Sequence, residues 1–258
     1  MTATLDAAPS PTGDGAESLR ETVRRLGAAQ KGAKGAPAYS RFVNRRLGRL
    51  LAALAFRGGL TPDAVTGISA ALTGSGIVLL ALAPLTWLTG VGVAVLLVAG
   101  YAFDAADGQL ARLRGGGSPA GEWLDHVVDA AKISTLHLAV AVALFRDDRL
   151  ATGWVLVPLG FSAVASVHFF ATLLNDQLRR QHGSRADGTP GERAPVWRSL
   201  LVVPTDYGLL CVVFVLLGAP AVFLTAYGLL FAATAGYLAL ALRTWRRQML
   251  ALGAPGRS

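Results

Sequence analysis

Six stretches of this chain, 64–83, 90–111, 122–145, 150–174, 199–218 and 220–242, are apolar for close to their whole length. A helix needs about 20 such residues to cross a bilayer, and each stretch meets that requirement. With 53% hydrophobic and only 16% charged residues and a mean hydropathy of +0.47, the chain is built for lipid. The fold class this predicts is all-α integral membrane, with six transmembrane helices and, before them, an N-terminal amphipathic interfacial helix. Trp87, Trp154, Trp197 and Trp245 fall near the predicted ends, where interfacial aromatics collect.

The charge pattern orients the spans. Of 24 basic residues 21 are Arg, and they cluster at the N-terminus, in two loops and in the C-terminal tail. The 84–89 and 218–220 connections carry no basic residue, and at 146–149 Arg146 and Arg149 are balanced by Asp147 and Asp148. On the other side lie the N-terminal arginines, Arg112, Arg114, Arg179, Arg180, Arg185, Arg193, Arg198, Arg243, Arg246 and Arg247. The positive-inside rule therefore predicts a multi-pass cell-membrane protein with both termini and the 112–121 connection in the cytoplasm. A net charge of +8 distributed in this way fits an acidic lipid surface and not a nucleic acid. Cys211 is the only cysteine, which excludes an intrachain disulfide framework and a cysteine zinc site.

Residues 1–15 are rich in small residues and Pro, without the apolar core of a signal peptide. The predicted organisation is a largely disordered tail over 1–38 with a short basic helix, capped by Ser18 and Glu21 and carrying Leu19, Val23 and Leu26. An amphipathic juxtamembrane helix follows over 39–57, then a six-span domain over 58–247 and a cytoplasmic tail over 248–258. In the juxtamembrane helix Val43, Leu47, Leu50, Leu51 and Leu54 share one arc, and Arg41, Arg45, Arg46 and Arg49 the other.

Four aspartates interrupt this apolar plan. Asp104 and Asp107 lie three apart near the end of the second span, and Asp125 and Asp129 lie four apart at the start of the third. Each pair shares a helical face. Two antiparallel helices joined by a Gly-rich turn bring the faces together as a cage of carboxylate oxygens at the membrane boundary, where uncompensated carboxylates are costly. All-oxygen ligation suits Mg²⁺ or Mn²⁺, and four carboxylates suffice for two such ions, an arrangement that stabilises charge on phosphoryl oxygens. Arg112 and the Gly115–Gly117 backbone are suited to phosphate.

The spacing Asp104-x-x-Asp107-Gly108-x-x-Ala111-Arg112, then eight residues, then Gly121-x-x-x-Asp125-x-x-x-Asp129 resembles the signature of the CDP-alcohol phosphotransferases at every fixed position. The resemblance extends over about residues 40–245, including Thr61-Pro62-Asp63-Ala64-Val65-Thr66, and in this donor-site pattern is closest to phosphatidylinositol-phosphate synthase-like members. It implies that Asp104, Asp107, Asp125 and Asp129 hold two divalent cations and that Asp129 is also the catalytic general base. It further implies a CDP-lipid donor held near Asp63, Thr66, Gly108, Arg112, Ser118 and Gly121, a polar alcohol acceptor, and a homodimer in the bilayer.

The acceptor side departs from that pattern. Where those members are expected to carry a basic Tyr-x-Lys-Ala-Arg-like end to the fourth span, this chain has Leu174-Asn175-Asp176-Gln177-Leu178-Arg179-Arg180. Arg179, Arg180, Arg193 and Arg198 fit an acceptor phosphate or a positive-inside loop equally well. Lys132 either balances the carboxylates or binds an anionic ligand, and Asp206, beside Pro204, is an acceptor-side candidate. His126, on a face different from that of Asp125, is expected to pack or to make a dimer contact and not to ligate, and His137, His168 and Cys211 to serve the core. Two alternatives are an inactive membrane scaffold of the same fold, which loss of motif aspartates would mark, and a cation- or proton-coupled transporter. The transporter predicts acids spread through the depth of several helices, whereas these cluster on two.

Overall fold

Chain breakers divide the sequence into helices. The computed structural model describes residues 19–28, 38–148, 150–182 and 205–252, and no strand occurs among them. Helix α1 is Leu19–Ala28; a wider turn over Ser40–Asn44 leads into α2, Arg45–Arg57. Gly58 and Gly59 end α2, Gly59 with a φ of 71°, a conformation that side chains rarely adopt. Thr61 then caps α3, Pro62–Leu82, its Oγ1 accepting from the Ala64 N–H at 3.1 Å, with Pro62 in the first turn. Next come α4, Trp87–Leu113; α5, Pro119–Phe145; and α6, Leu156–Gln181, entered through a 3₁₀ turn at Thr152–Val155. Helix α7 is Tyr207–Val213, extended by a 3₁₀ turn at Phe214–Gly218, and α8 is Pro220–Leu252.

Five segments are long and apolar enough to cross a membrane: Pro62–Leu82, Trp87–Leu113, Pro119–Phe145, Thr152–Gln181 and Pro220–Leu252. The expected fifth span, 199–218, lies partly outside the described residues, and its described part is the short apolar helix Tyr207–Gly218. Helix α8 runs ten residues past its expected end, because Arg243, Arg246, Arg247 and Gln248 are straight-chain residues that favour helix over termination. Its 33 residues span about 50 Å, more than the hydrocarbon core requires.

The main core lies between α3, α4, α5, α6, α7 and α8, where Leu80, Val93, Leu97, Leu136, Phe161, Phe214, Phe223 and Tyr227 are buried. Around it large apolar side chains face outwards, Leu88 at 84% exposure and Phe145 and Leu156 at 71%. Apolar surface on that scale is what lipid-facing residues present. A second core joins α1, α2, α3 and α4: Leu26, Ala52, Ala53, Ala55, Val65, Ala106 and Leu110. The face of α2 that packs is thus its small-residue stripe, while Val43, Leu47, Leu50 and Leu54 point outwards. Gly48 permits the approach, since a Cβ there would lie 2.8 Å from the Ala105 Cβ.

Asp206 ties this peripheral layer to the main bundle. Buried to 2% exposure, it caps α7 by accepting from the Gly208 N–H at 3.0 Å, and its other oxygen accepts from the Tyr39 and Ser40 N–H groups at 2.8 and 3.2 Å. Asp206→Ala leaves these donors without their acceptor and should lower stability by about 2–3 kcal/mol. Thermal unfolding in detergent measures the loss, and trypsin should cleave after Arg41 or Arg45 faster than in the unaltered protein.

Candidate active site

Two antiparallel helices hold the four aspartates, and the turn between them is set by glycine. Gly115 and Gly116 adopt φ values of 97° and 131°, which reverse the chain within a few residues. Ser118 then caps α5, its Oγ accepting from the Gly121 N–H at 3.0 Å, with Pro119 in the first turn. Arg114 donates to the Leu60 carbonyl at 2.8 Å and so fixes the turn to the α2–α3 link. The outcome places Asp104 and Asp107 of α4 beside Asp125 and Asp129 of α5, all at one end of the bundle.

Lys132 sits between them. Its Nζ is 2.9 Å from Asp104 Oδ1 and 2.5 Å from Asp129 Oδ1, its side chain is only 7% exposed, and the Tyr207 ring centroid lies 5.6 Å away. Of the two readings that the sequence left open for Lys132, the geometry selects charge balance. Asp107 is fixed separately: Thr66 Oγ1 donates to its Oδ2 at 2.6 Å and the Gly108 N–H to its Oδ1 at 2.5 Å. It remains within electrostatic reach of Asp104 and Asp125.

Asp125, His126 and Asp129 each bring a ligand atom within 4.8 Å of the others. His126 keeps the expected packing role, against Phe169, while its ring also reaches this group. Successive helical residues are only about 100° apart, and an imidazole is long enough to swing back towards its neighbour. It also lies 3.8 Å from Glu122 and meets the Phe169 ring edge-on. Carboxylates with a nearby imidazole fit a divalent cation of the Mg²⁺ or Mn²⁺ type, for which oxygen donors dominate.

The residues expected around the nucleotide fall into three local groups. A Cβ on Gly121 would come within 3.2 Å of both Asp63 Oδ1 and Ser118 Oγ, and one on Gly108 would meet Arg112 Nη1 at 3.5 Å. Asp63, Ser118 and Gly121 therefore adjoin one another, Thr66 adjoins Asp107, and Gly108 adjoins Arg112. The Ser118 oxygen is already engaged as the helix cap.

The expected acceptor residues are dispersed. Arg179 bonds to Gln248, and Arg180 donates to Glu122 Oε1 at 2.7 Å in an exposed pair. Arg193 and Arg198 lie outside the described residues, and Asp206 is the latch described above. His137 bonds to the Tyr227 hydroxyl at 2.6 Å and stacks on Phe161, and Cys211 is fully buried, both as expected of core residues. His168 packs in an aromatic cluster with Tyr237 and Trp245.

Sequence reasoning missed a polar cleft of about 230 Å³ between α2 and α4, lined by Ser40, Asn44, Arg45, Tyr101, Gln109 and Arg112 and bordered by Asp104. Asn44 gave the available signal: it continues the stripe of Gly48, Ala52 and Ala55 at three- to four-residue spacing, so a polar amide sits where a buried small residue is otherwise used. Partial burial pushes the Arg45 guanidinium below its ordinary value, with Arg41 adding to the effect.

The family model for CDP-alcohol phosphatidyltransferases matches residues 59–245. The chain belongs to that family. The matched region takes in all four aspartates, the helices that carry them and the residues expected around the nucleotide. CDP-alcohol phosphatidyltransferases are membrane transferases of phospholipid biosynthesis that use divalent metals. No curated protein matches the chain.

In this CDP-alcohol phosphatidyltransferase family member, Lys132→Met removes one partner from a mostly buried ion triad. It should destabilise the metal-free protein by about 3 kcal/mol, because Asp104 and Asp129 are then left facing each other. Thermal unfolding should show Mn²⁺ restoring more stability to the variant than it adds to the unaltered protein.

Proposed function

We propose that the protein transfers a phosphatidyl-type group from a CDP-linked lipid, such as CDP-diacylglycerol, to the hydroxyl of a polar alcohol, releasing CMP. The observation that carries this reading is the convergence of Asp104 and Asp129, from two helices, on one ammonium inside the segment matched to the family. Asp104, Asp107, Asp125 and Asp129 are the residues that would hold two divalent cations. When bound, Mg²⁺ or Mn²⁺ supplies positive charge to the phosphoryl oxygens of donor and leaving group.

This chain's residues do the rest. Asp63, Thr66, Gly108, Arg112, Ser118 and Gly121 hold the nucleotide, the two glycines leaving its approach unobstructed and Arg112 offering a forked donor to a phosphate. Asp129 takes the proton from the acceptor hydroxyl. The acceptor oxygen forms a bond to the phosphorus that carries the lipid, the bond from that phosphorus to the bridging oxygen breaks, and CMP leaves with the electron pair. The outward leucines of α2 support an interfacial position for that helix, and the arginine distribution supports six spans with the site in the cytoplasm. The clustering of the acids at one end of α4 and α5 disfavours a transport relay, which would spread them through the membrane.

Purified protein with Mg²⁺ or Mn²⁺ should release CMP from CDP-diacylglycerol when given an acceptor. Asp129→Asn should lower that rate by about 10²–10⁴-fold while CDP binding persists. Release of CMP by the variant at the unaltered rate would overturn the assignment of the base.

A further inference from the structure

We propose that His126 is itself a cation ligand, bonding through Nδ1 beside Asp125 and Asp129, and that it makes the site select Mn²⁺ over Mg²⁺. The inference rests on the cation site of the transferase reading above and adds a residue to it. The signature spacing fixes Gly121, Asp125 and Asp129 and leaves position 126 open, so His126 is this chain's own contribution.

The two ring nitrogens have different surroundings. Nε2 faces Glu122 Oε1 at 3.8 Å, one turn back on α5, and that same oxygen accepts from Arg180 at 2.7 Å. A carboxylate on that side favours the ring proton at Nε2, which leaves the lone pair on Nδ1. Nδ1 is buried and has no hydrogen-bond partner among the described residues. A buried acceptor without a donor is costly, and a cation bonded to the lone pair removes that cost. An outer carboxylate that fixes the orientation and tautomer of the ring is also what metal-binding histidines use. Glu122 is in that sense a positioning residue.

Position agrees with the chemistry. One ligand atom from each of Asp125, His126 and Asp129 lies within 4.8 Å of the other two. Donors about 2.1 Å from one octahedral ion are about 3.0 Å apart when adjacent and about 4.2 Å apart when opposite, so small rotations bring all three to one ion. Phe169 of α6 meets the imidazole edge-on and holds it against α5. Lys132 favours the same place. Its ammonium lies 2.5 Å from Asp129 Oδ1, one turn further along α5, and repels a cation towards the opposite side, where Asp125 and His126 are.

Donor type then decides between ions. Mg²⁺ takes oxygen ligands and sheds water reluctantly, whereas first-row transition ions accept imidazole nitrogen. Among those, Mn²⁺ keeps the preference for oxygen that the aspartates satisfy. One nitrogen among carboxylates therefore tilts the site from Mg²⁺ to Mn²⁺.

Pulsed electron paramagnetic resonance of Mn²⁺ bound to the purified protein with CDP tests this directly. The inference expects modulation from a directly bonded nitrogen. That signal should change when histidine carries the heavier nitrogen isotope, which separates the ring from cytosine, and should vanish in His126→Gln. Competition between Mg²⁺ and Mn²⁺ should show the preference for Mn²⁺ falling about tenfold or more in His126→Gln. His126→Asp, which supplies oxygen in place of nitrogen, should still bind Mn²⁺ but lose both the signal and the preference. Glu122→Ala should weaken Mn²⁺ binding about tenfold with the nitrogen signal retained. Bound Mn²⁺ without the histidine nitrogen signal would overturn the inference and, with CMP release intact, leave the transferase reading standing. A signal and an ion preference unchanged in His126→Gln would do the same. No Mn²⁺ binding by the unaltered protein would overturn this inference and count against the cation site of the transferase reading as well.

Discussion

One buried ammonium holds the reaction end of this protein together. Lys132 bonds to Asp104 on the neighbouring helix and to Asp129 one turn back on its own, and neither carboxylate would be tolerated alone in so buried a place. Removing two or three charges from water costs several kcal/mol per ion, and close, hydrogen-bonded geometry is what offsets it. The Tyr207 ring adds a favourable face to the same ammonium and links it to α7. The positions of α4, α5 and α7 at this end are therefore coupled through a single side chain. Asp107 stands outside the triad and is held by Thr66, which couples α3 to the site in the same way.

Close approach of the helices supplies the rest of the positioning. Gly48 and the alanines of α2 bring it against Ala105, Ala106 and Leu110 of α4, close enough for Gln109 Nε2 of α4 to reach the Arg45 carbonyl at 3.4 Å. On the far side Ser69 of α3 donates to the Gly100 carbonyl at 2.8 Å. Asp206 then holds the chain ahead of α2 by two backbone N–H groups, so the roof of the polar cleft is tied to α7. Tyr39 stacks on Tyr101, which meets Tyr207 edge-on, and the three rings fill the space between these elements.

Apolar run length was enough to place five long helices, and the aspartate spacing was enough to place the carboxylates together, because both depend on periodicities that the backbone imposes. The glycine turn was legible for the same local reason, whereas the Thr61 and Ser118 caps emerged only in the structure. What the sequence left open was set by side chains reaching between elements. Lys132 had two readings until its distances to Asp104 and Asp129 were known, and Asp206 looked like a substrate contact because nothing in its neighbourhood in sequence reveals Tyr39. The leucine arc of α2 was read as a lipid-facing side, and the leucines do face outwards; what the sequence did not reveal is that the small residues Gly48, Ala52 and Ala55 form the packed face. The helical wheel gave the face of His126 but not the reach that brings its ring near Asp125 and Asp129.

The central claim is that the four aspartates form one cation-holding site beside the nucleotide. Isothermal titration of the purified protein with Mn²⁺ in the presence of CDP tests it most directly. The account predicts saturable binding of two ions per chain, abolished or halved by Asp107→Asn and by Asp125→Asn alike, since both belong to one site. Absence of saturable binding, or binding indifferent to both substitutions, would contradict it.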